Sequence, residues 1–108
     1  WDTSAAGHVD AGETYLECAK RELLEELNLK TLLKAAIKIS ACEETHREHI
    51  QVYTCLTDDL VKINPEEVSE GSFYNLFKIQ ENISINPNQF TSSFKLLFNK
   101  ILNNEIKF

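Results

Sequence analysis

Glu22, Glu25 and Glu26 stand at i, i+3 and i+4 within Arg21-Glu22-Leu23-Leu24-Glu25-Glu26. On a helix that spacing puts three carboxylates on one face. Like charges at such positions repel by roughly 0.2–0.5 kcal/mol per pair, and Lys20 and Arg21 offset only part of it. Two readings of the cluster follow. One is a solvated acidic face. The other is a site for a hard divalent cation, which wants several carboxylate oxygens and turns the repulsion into attraction. Charge alone leaves both open.

The segment that must position these groups starts upstream. Asp10-Ala11-Gly12-Glu13 has the composition of a turn. Thr14 follows as an N-cap, and Glu17 three residues on completes a capping-box pattern. No Gly or Pro interrupts the run to Leu27. Ala19, Leu23 and Leu27, flanked by Leu16 and Leu24, make an apolar stripe at helical spacing. The pattern predicts a helix over 14–27 with one apolar and one acidic face.

Gly7, Glu13, Arg21, Glu22, Leu23, Glu25, Glu26 and Leu29 together resemble the Nudix box, G-x5-E-x7-R-E-U-x-E-E-x-G-U with U aliphatic. One fixed position departs: Asn28 stands where the family has glycine. Asn is the next best residue after Gly for the left-handed conformation common just past a helix end. Looser likenesses run along the stretches 1–8 and 48–53, Glu66-Glu67-Val68, and Phe90-Thr91-Ser92-Ser93-Phe94. They resemble the Nudix branch related to isopentenyl-diphosphate isomerase. The resemblance implies an α/β fold, a Nudix-type α/β/α sandwich with a mixed β-sheet. It implies a single domain over 1–108, with the family's N-terminal strand or strands lying ahead of Trp1.

It also implies chemistry. By match, Glu22, Glu25 and Glu26 would ligate Mg2+ or Mn2+, helped by the carbonyl of Gly7. Arg21 would hold a carboxylate in place by a charge-assisted hydrogen bond, and Glu13 would support the loop. The implied reaction is attack of water on a phosphorus of an organic pyrophosphate, a nucleoside diphosphate linked to another moiety. The residues expected to act in it are Glu22, Glu25, Glu48 and Arg21. Glu48 is the candidate general base outside the box, being similar in position to a metal-binding, catalytic glutamate of the isomerase; its plain reading is a strand-edge carboxylate. Glu70 is a second candidate. His8 matches a metal-binding histidine of the isomerase, and is otherwise a hydrogen-bonded loop residue. Ala6 stands where the isomerase has a catalytic cysteine, so isomerase chemistry lacks one of its two partners. A non-catalytic Nudix-fold binding or regulatory module is the alternative from another class; intact glutamates favour the hydrolase.

Bulk properties agree with a small-molecule enzyme. A chain of 108 residues holds one modest core. A formal net charge of −6 argues against nucleic-acid binding, which needs a basic patch. It also means that a phosphate substrate is repelled unless cations intervene. Cys18, Cys42 and Cys55 form an odd set with no C-x-x-C pair, read as reduced packing residues of a cytoplasmic protein. No apolar run approaches ~18–20 residues, so no membrane span is expected.

The remaining elements are read from periodicity. A strand over 1–6 leads into the box loop. Strands over 35–43 and 48–56 flank a polar turn as a hairpin. A short extended piece at 61–63 precedes a third strand over 66–76, which rests on the family likeness. A helix over 76–81 follows. In a final helix over 90–103, Phe94, Leu97, Phe98, Ile101 and Leu102 make an apolar stripe. An open sheet edge invites pairing with a second chain, so a homodimer is expected.

Overall fold

The acidic helix begins and ends where its cap residues dictate. In the computed structural model, which describes residues 2–107, helix α1 spans Tyr15–Leu27. Thr14 Oγ1 accepts the Glu17 N–H at 3.1 Å, satisfying one of the helix's orphan donors. At the other end Asn28 adopts the left-handed conformation, φ 54° and ψ 33°, and its N–H returns to Leu24 O at 3.0 Å. Asn28 therefore does what the family's glycine would do.

The apolar stripe builds the core as expected from its spacing. Leu23 and Leu27 are buried with Leu29, and Ala5, Leu33, Val61 and Ile63 pack against them. Leu16 and Leu24, at the flanks, stay largely exposed.

Strands β1 (Lys34–Ile39) and β2 (Ile50–Thr54) pair antiparallel. Lys34 opposes Thr54 and Ile39 opposes Ile50, with a register shift between Ala35 and Ile37. The hairpin was anticipated, but both strands are shorter than the alternation suggests. Thr45 explains the early end of β1. It is buried at 2% exposure, and its hydroxyl accepts the Cys42 N–H at 3.0 Å and donates to Glu48 O at 2.8 Å. That closes a 3-10 turn at Glu43–Thr45 and takes Cys42 and Glu43 out of the ladder.

Among the described residues the sheet is this antiparallel pair, so the parallel partner of a mixed sheet is not among them. Residues 2–6 form no strand, and Trp1 lies outside the described residues. The third strand over 66–76 is not formed either. Asn64-Pro65 starts a turn instead, in which Asn64 O accepts the N–H groups of Glu67 and Val68 at 3.0 and 2.8 Å. The piece at 61–63 runs along the end of α1 rather than in a sheet: Lys62 N donates to Leu27 O at 3.1 Å and Asn64 N to Glu26 O at 2.9 Å.

Helix α2 (Leu76–Ile85) is longer than expected, capped by Asn75 Oδ1 on the Lys78 N–H at 2.8 Å. Helix α3 (Ser92–Leu102) is capped by Thr91. Its aromatic stripe is core: Phe90, Phe94 and Phe98 stack in sequence with centroids 5.5 and 6.1 Å apart, and Phe98 is buried. Ser93 ties α3 to the hairpin turn through Glu44 O at 3.0 Å. No helix among the described residues is long and apolar enough to cross a membrane.

Candidate metal-dependent active site

Arg21 organises the site. Its Nε and Nη2 grip Glu13 in a two-point fork, at 2.9 Å to Oε2 and 3.1 Å to Oε1. Nη1 donates to Glu22 Oε1 at 2.7 Å and reaches Glu25 Oε2 at 3.5 Å. Nη2 also donates to His8 O at 3.2 Å and lies 3.4 Å from Asp10 Oδ2. One guanidinium thus joins the box loop to two carboxylates of α1, which is the kind of planar, multi-donor work that lysine cannot do.

Glu13 is pinned from both sides. Its Oε1 accepts the Asp10 N–H at 3.1 Å while its own N–H donates to Asp10 O at 3.0 Å. Gly12 makes this turn possible with φ 80°, which an L side chain rarely adopts. The Arg21 fork and the Asp10 amide hold the Glu13 carboxyl down to about 2, against an ordinary 4.5. Glu13 raises the Arg21 guanidinium in turn, so the pair stays fully ionised.

Gly7 lies directly under Glu22. A Cβ at this position would come within 3.0 Å of Cγ, Cδ and Oε1 of Glu22. An added side chain would therefore displace the Glu22 carboxylate, while the backbone conformation itself does not call for glycine. Its carbonyl accepts a weak hydrogen bond from the Cys18 thiol at 3.9 Å. Burial pushes that thiol up from its usual range, and Cys18 acts as a packing residue.

Glu26 occupies a different position from its neighbours. Its Oε2 accepts the Ala6 N–H at 3.2 Å. Burial raises its carboxyl above the ordinary value, and the Glu22 and Glu67 carboxylates add to the effect. A carboxylate whose charge is disfavoured by burial and by like-charged neighbours is one that a cation would relieve.

Glu67 joins the cluster from outside the box. The carboxylate oxygens of Glu22, Glu25 and Glu67 lie within 4.8 Å of one another. Two oxygens across a Mg2+ at ~2.1 Å each stand at most ~4.2 Å apart, so small side-chain adjustments bring this oxygen-only set to an octahedral ion. The backbone explains why Glu67 is there. The Asn28 amide donates to Lys62 O, and Asn64 Nδ2 donates to Glu25 O at 3.1 Å. The Asn64 amide with the Lys62 and Asn64 N–H bonds satisfies the orphan carbonyls of Glu25, Glu26 and Leu27 at the end of α1, and with the Asn28 bond docks the 64–68 turn beside its acidic face.

Glu48 sits apart from that group. Its Oε1 lies 2.9 Å from His8 Nε2, with side-chain exposures of 54% and 83%. The hydrogen bond and the negative charge of Glu48 raise the His8 ring above its usual value. The contact joins the box loop to a residue two positions ahead of β2. Glu70 is exposed and outside the three-carboxylate group. Thus the structure brings Arg21, Glu22 and Glu25 together with Gly7 beside them, holds Glu26 against Ala6, and pairs Glu48 with His8. The residue that sequence reasoning missed is Glu67. The turn signal Asn64-Pro65 was present, but the bonds that carry it to α1 leave no periodic trace.

A sequence profile of the NUDIX domain matches residues 1–94, and the chain belongs to the Nudix family. It is 31% identical over 106 residues to the isopentenyl-diphosphate Delta-isomerase of Pectobacterium atrosepticum, covering 94% of this chain and 59% of that protein. It is 35% identical over 74 residues to an uncharacterized Nudix hydrolase of Pseudomonas aeruginosa, covering 68% of this chain and 44% of that protein. It is 41% identical over 66 residues to Nudix hydrolase 3 of Arabidopsis thaliana, covering 61% of this chain and 7% of that protein. The crystal structure of DR0079 from Deinococcus radiodurans is similar in fold, with a TM-score of 0.68 and 28% identity over 79% of this chain and 57% of that one. The α/β fold of the family is therefore the fold of this chain. The chain spans about three fifths or less of the relatives it matches.

Proposed function

We propose that this chain carries the catalytic centre of a divalent-cation-dependent hydrolase acting on organic pyrophosphates, nucleoside diphosphates linked to another moiety among them. The observation that supports it is the convergence of Glu22, Glu25 and Glu67 within 4.8 Å at a box whose glycine makes room for one of them. A purely binding module has no need to gather repelling carboxylates in this way. Mg2+ or Mn2+ on these oxygens would neutralise phosphate charge and make a bound water more acidic.

The protein's own groups then have distinct tasks. Glu22, Glu25 and Glu67 offer oxygens to the ion, and Glu26 lies close enough to Glu22 to join them after giving up the Ala6 N–H. Arg21 fixes the orientation of Glu22 and Glu25, and its ion pair with Glu13 keeps the fork in place. Glu48 is the base of choice, since its Oε1 is held by His8 of the box loop. The net charge of −6 makes the ion necessary for an anionic substrate to approach. We place the protein in the cytoplasm, where its three free cysteines would stay reduced.

The isomerase relative suggests a second reaction, but Ala6 offers no acid. Its backbone N–H holds Glu26 instead. The test of the hydrolase reading is a panel of nucleotide sugars, dinucleoside polyphosphates and prenyl diphosphates with Mg2+. On any substrate turned over, Glu25→Gln, Glu26→Gln and Glu67→Gln should each cost ~100-fold or more, several kcal/mol in barrier, with folding intact. Unchanged turnover in all three at saturating Mg2+ rules the reading out.

A further inference from the structure

Between the first turn of α1 and the hairpin lies a cleft of about 180 Å³, lined by Tyr15, Lys38, Ser40, His49 and Gln51 among others. We propose that it is a phosphate-binding subsite, taking a phosphate carried on the part of the substrate remote from the bond that is cleaved. This deepens the hydrolase reading and rests on it for the kinetics, though not for binding itself.

The cleft's chemistry is that of a donor set. Lys38 stands 5.6 Å from the centroid of the Tyr15 ring, within cation–π range, so the aromatic face holds the ammonium in position. Among the described residues no carboxylate pairs with Lys38, in contrast to Arg21 and Lys100. Most of the chain's lysines likewise lack an ion pair among the described residues; Lys38 differs from them in lining this cleft against an aromatic ring. His49 adds a donor of fixed identity. Its Nδ1 accepts the Ala41 N–H at 3.2 Å, so the neutral ring carries its proton on Nε2. The Ser40 hydroxyl supplies another donor. Both Nε2 hydrogens of Gln51 are taken up by Ile37 O and Val52 O, each at 3.2 Å, which fixes that side chain as a rigid wall.

Size and position say which part of a substrate fits. Whole ligands of nucleoside size occupy pockets of ~300–1,000 Å³, so this cleft takes a single group. Tyr15 precedes Glu22 by seven residues, or ~10 Å along the helix axis at ~1.5 Å per residue. That is longer than one P–O–P linkage, which places the cleft beyond the scissile pyrophosphate. The path between the two is continuous in the chain: Glu22 over Gly7, His8 against Glu48, and His49 next in sequence.

The experiment is an amide-resolved NMR titration of the protein with inorganic phosphate in the presence of EDTA, so that no cation bridges phosphate to the box glutamates. Saturable shifts are expected at the amides of Lys38, Ser40, His49 and Gln51. Lys38→Ala should weaken binding by about tenfold or more, the worth of a charge-assisted bond to phosphate, and Lys38→Arg should restore most of it. Glu25→Gln should leave it unchanged. Absence of saturable shifts at these amides, or equal affinity in Lys38→Ala, overturns the proposal. The kinetic counterpart is a rise in KM of about tenfold for Lys38→Ala, seen with pyrophosphates that carry an additional phosphate and absent with those that do not. A panel with no turnover would count against the hydrolase reading and leave the phosphate titration to decide the subsite.

Discussion

Substituting Gly7 by alanine puts a methyl group where the Glu22 carboxylate already lies. The added carbon would fall within 3.0 Å of Cγ, Cδ and Oε1 of Glu22, against a comfortable carbon contact of about 3.5–4.0 Å. Gly7 is exposed and is not among the residues of positive φ, so the backbone itself accepts alanine. The strain falls on the carboxylate, which must retreat by ~1 Å. It then leaves both its 2.7 Å bond to Arg21 and its place beside Glu25 and Glu67. Disturbing the groups that orient a metal ligand costs about 10–100-fold in metal affinity, or ~1.4–2.7 kcal/mol. Mn2+ binding followed by electron paramagnetic resonance measures this without a substrate. Gly7→Ala should bind Mn2+ about 10–100-fold more weakly, while the metal-free Tm should stay within about 2 °C. In a Glu22→Ala background the same substitution should cost nothing further, because its collision partner is gone. Wild-type Mn2+ affinity in Gly7→Ala, or an equal penalty in both backgrounds, would refute the reasoning.

Asn28→Ala should lower stability by about 1–2 kcal/mol in urea unfolding, from left-handed backbone strain and the lost bond to Lys62 O; Asn28→Gly should recover most of the backbone part. A similar loss in both variants would count against the backbone account. Glu13, held down to about 2 from an ordinary 4.5, contributes stability above pH 4.5 that is lost as pH falls through about 2. Glu13→Gln should therefore flatten the acid limb of the stability profile in that window; parallel acid limbs for the two proteins would contradict this. Incubation with isopentenyl diphosphate should yield no dimethylallyl diphosphate above background, since Ala6 brings no thiol to the site; clear product would mean that another acid has taken that role.

What could be read from the sequence was local. Thr14, the Leu23–Leu27 stripe and Asn28 belong to one helix, and their spacing carries its limits to within a residue. The family pattern implied that Arg21 holds a carboxylate and that Glu13 supports the loop; that Glu13 is the carboxylate gripped by the fork is seen only in the structure. Strand lengths were overestimated because alternation over 35–43 continues past the point where a side chain, Thr45, closes a turn. The third strand failed for a related reason. That strand rested on the family likeness of 66–76, but Asn64-Pro65 commits the chain to a turn first, and Phe73 remains 85% exposed. Glu67 was out of reach since its place depends on amides and carbonyls, which every residue possesses and no sequence pattern displays.

The docking of the 64–68 turn on α1 has a consequence for folding. Asn64 and Glu25 are 39 residues apart in sequence, and the hairpin lies within the loop that they close. Closing a loop of that length costs chain entropy, and a tie across it stabilises most when the loop is long. An ion shared by Glu25 and Glu67 would act as such a tie, comparable in kind to a cross-link worth on the order of 4 kcal/mol for a loop of this size. Binding would thus reach beyond chemistry: the amides of the hairpin, which supplies none of the three clustered carboxylates, should exchange with solvent more slowly once the loop around them is fastened.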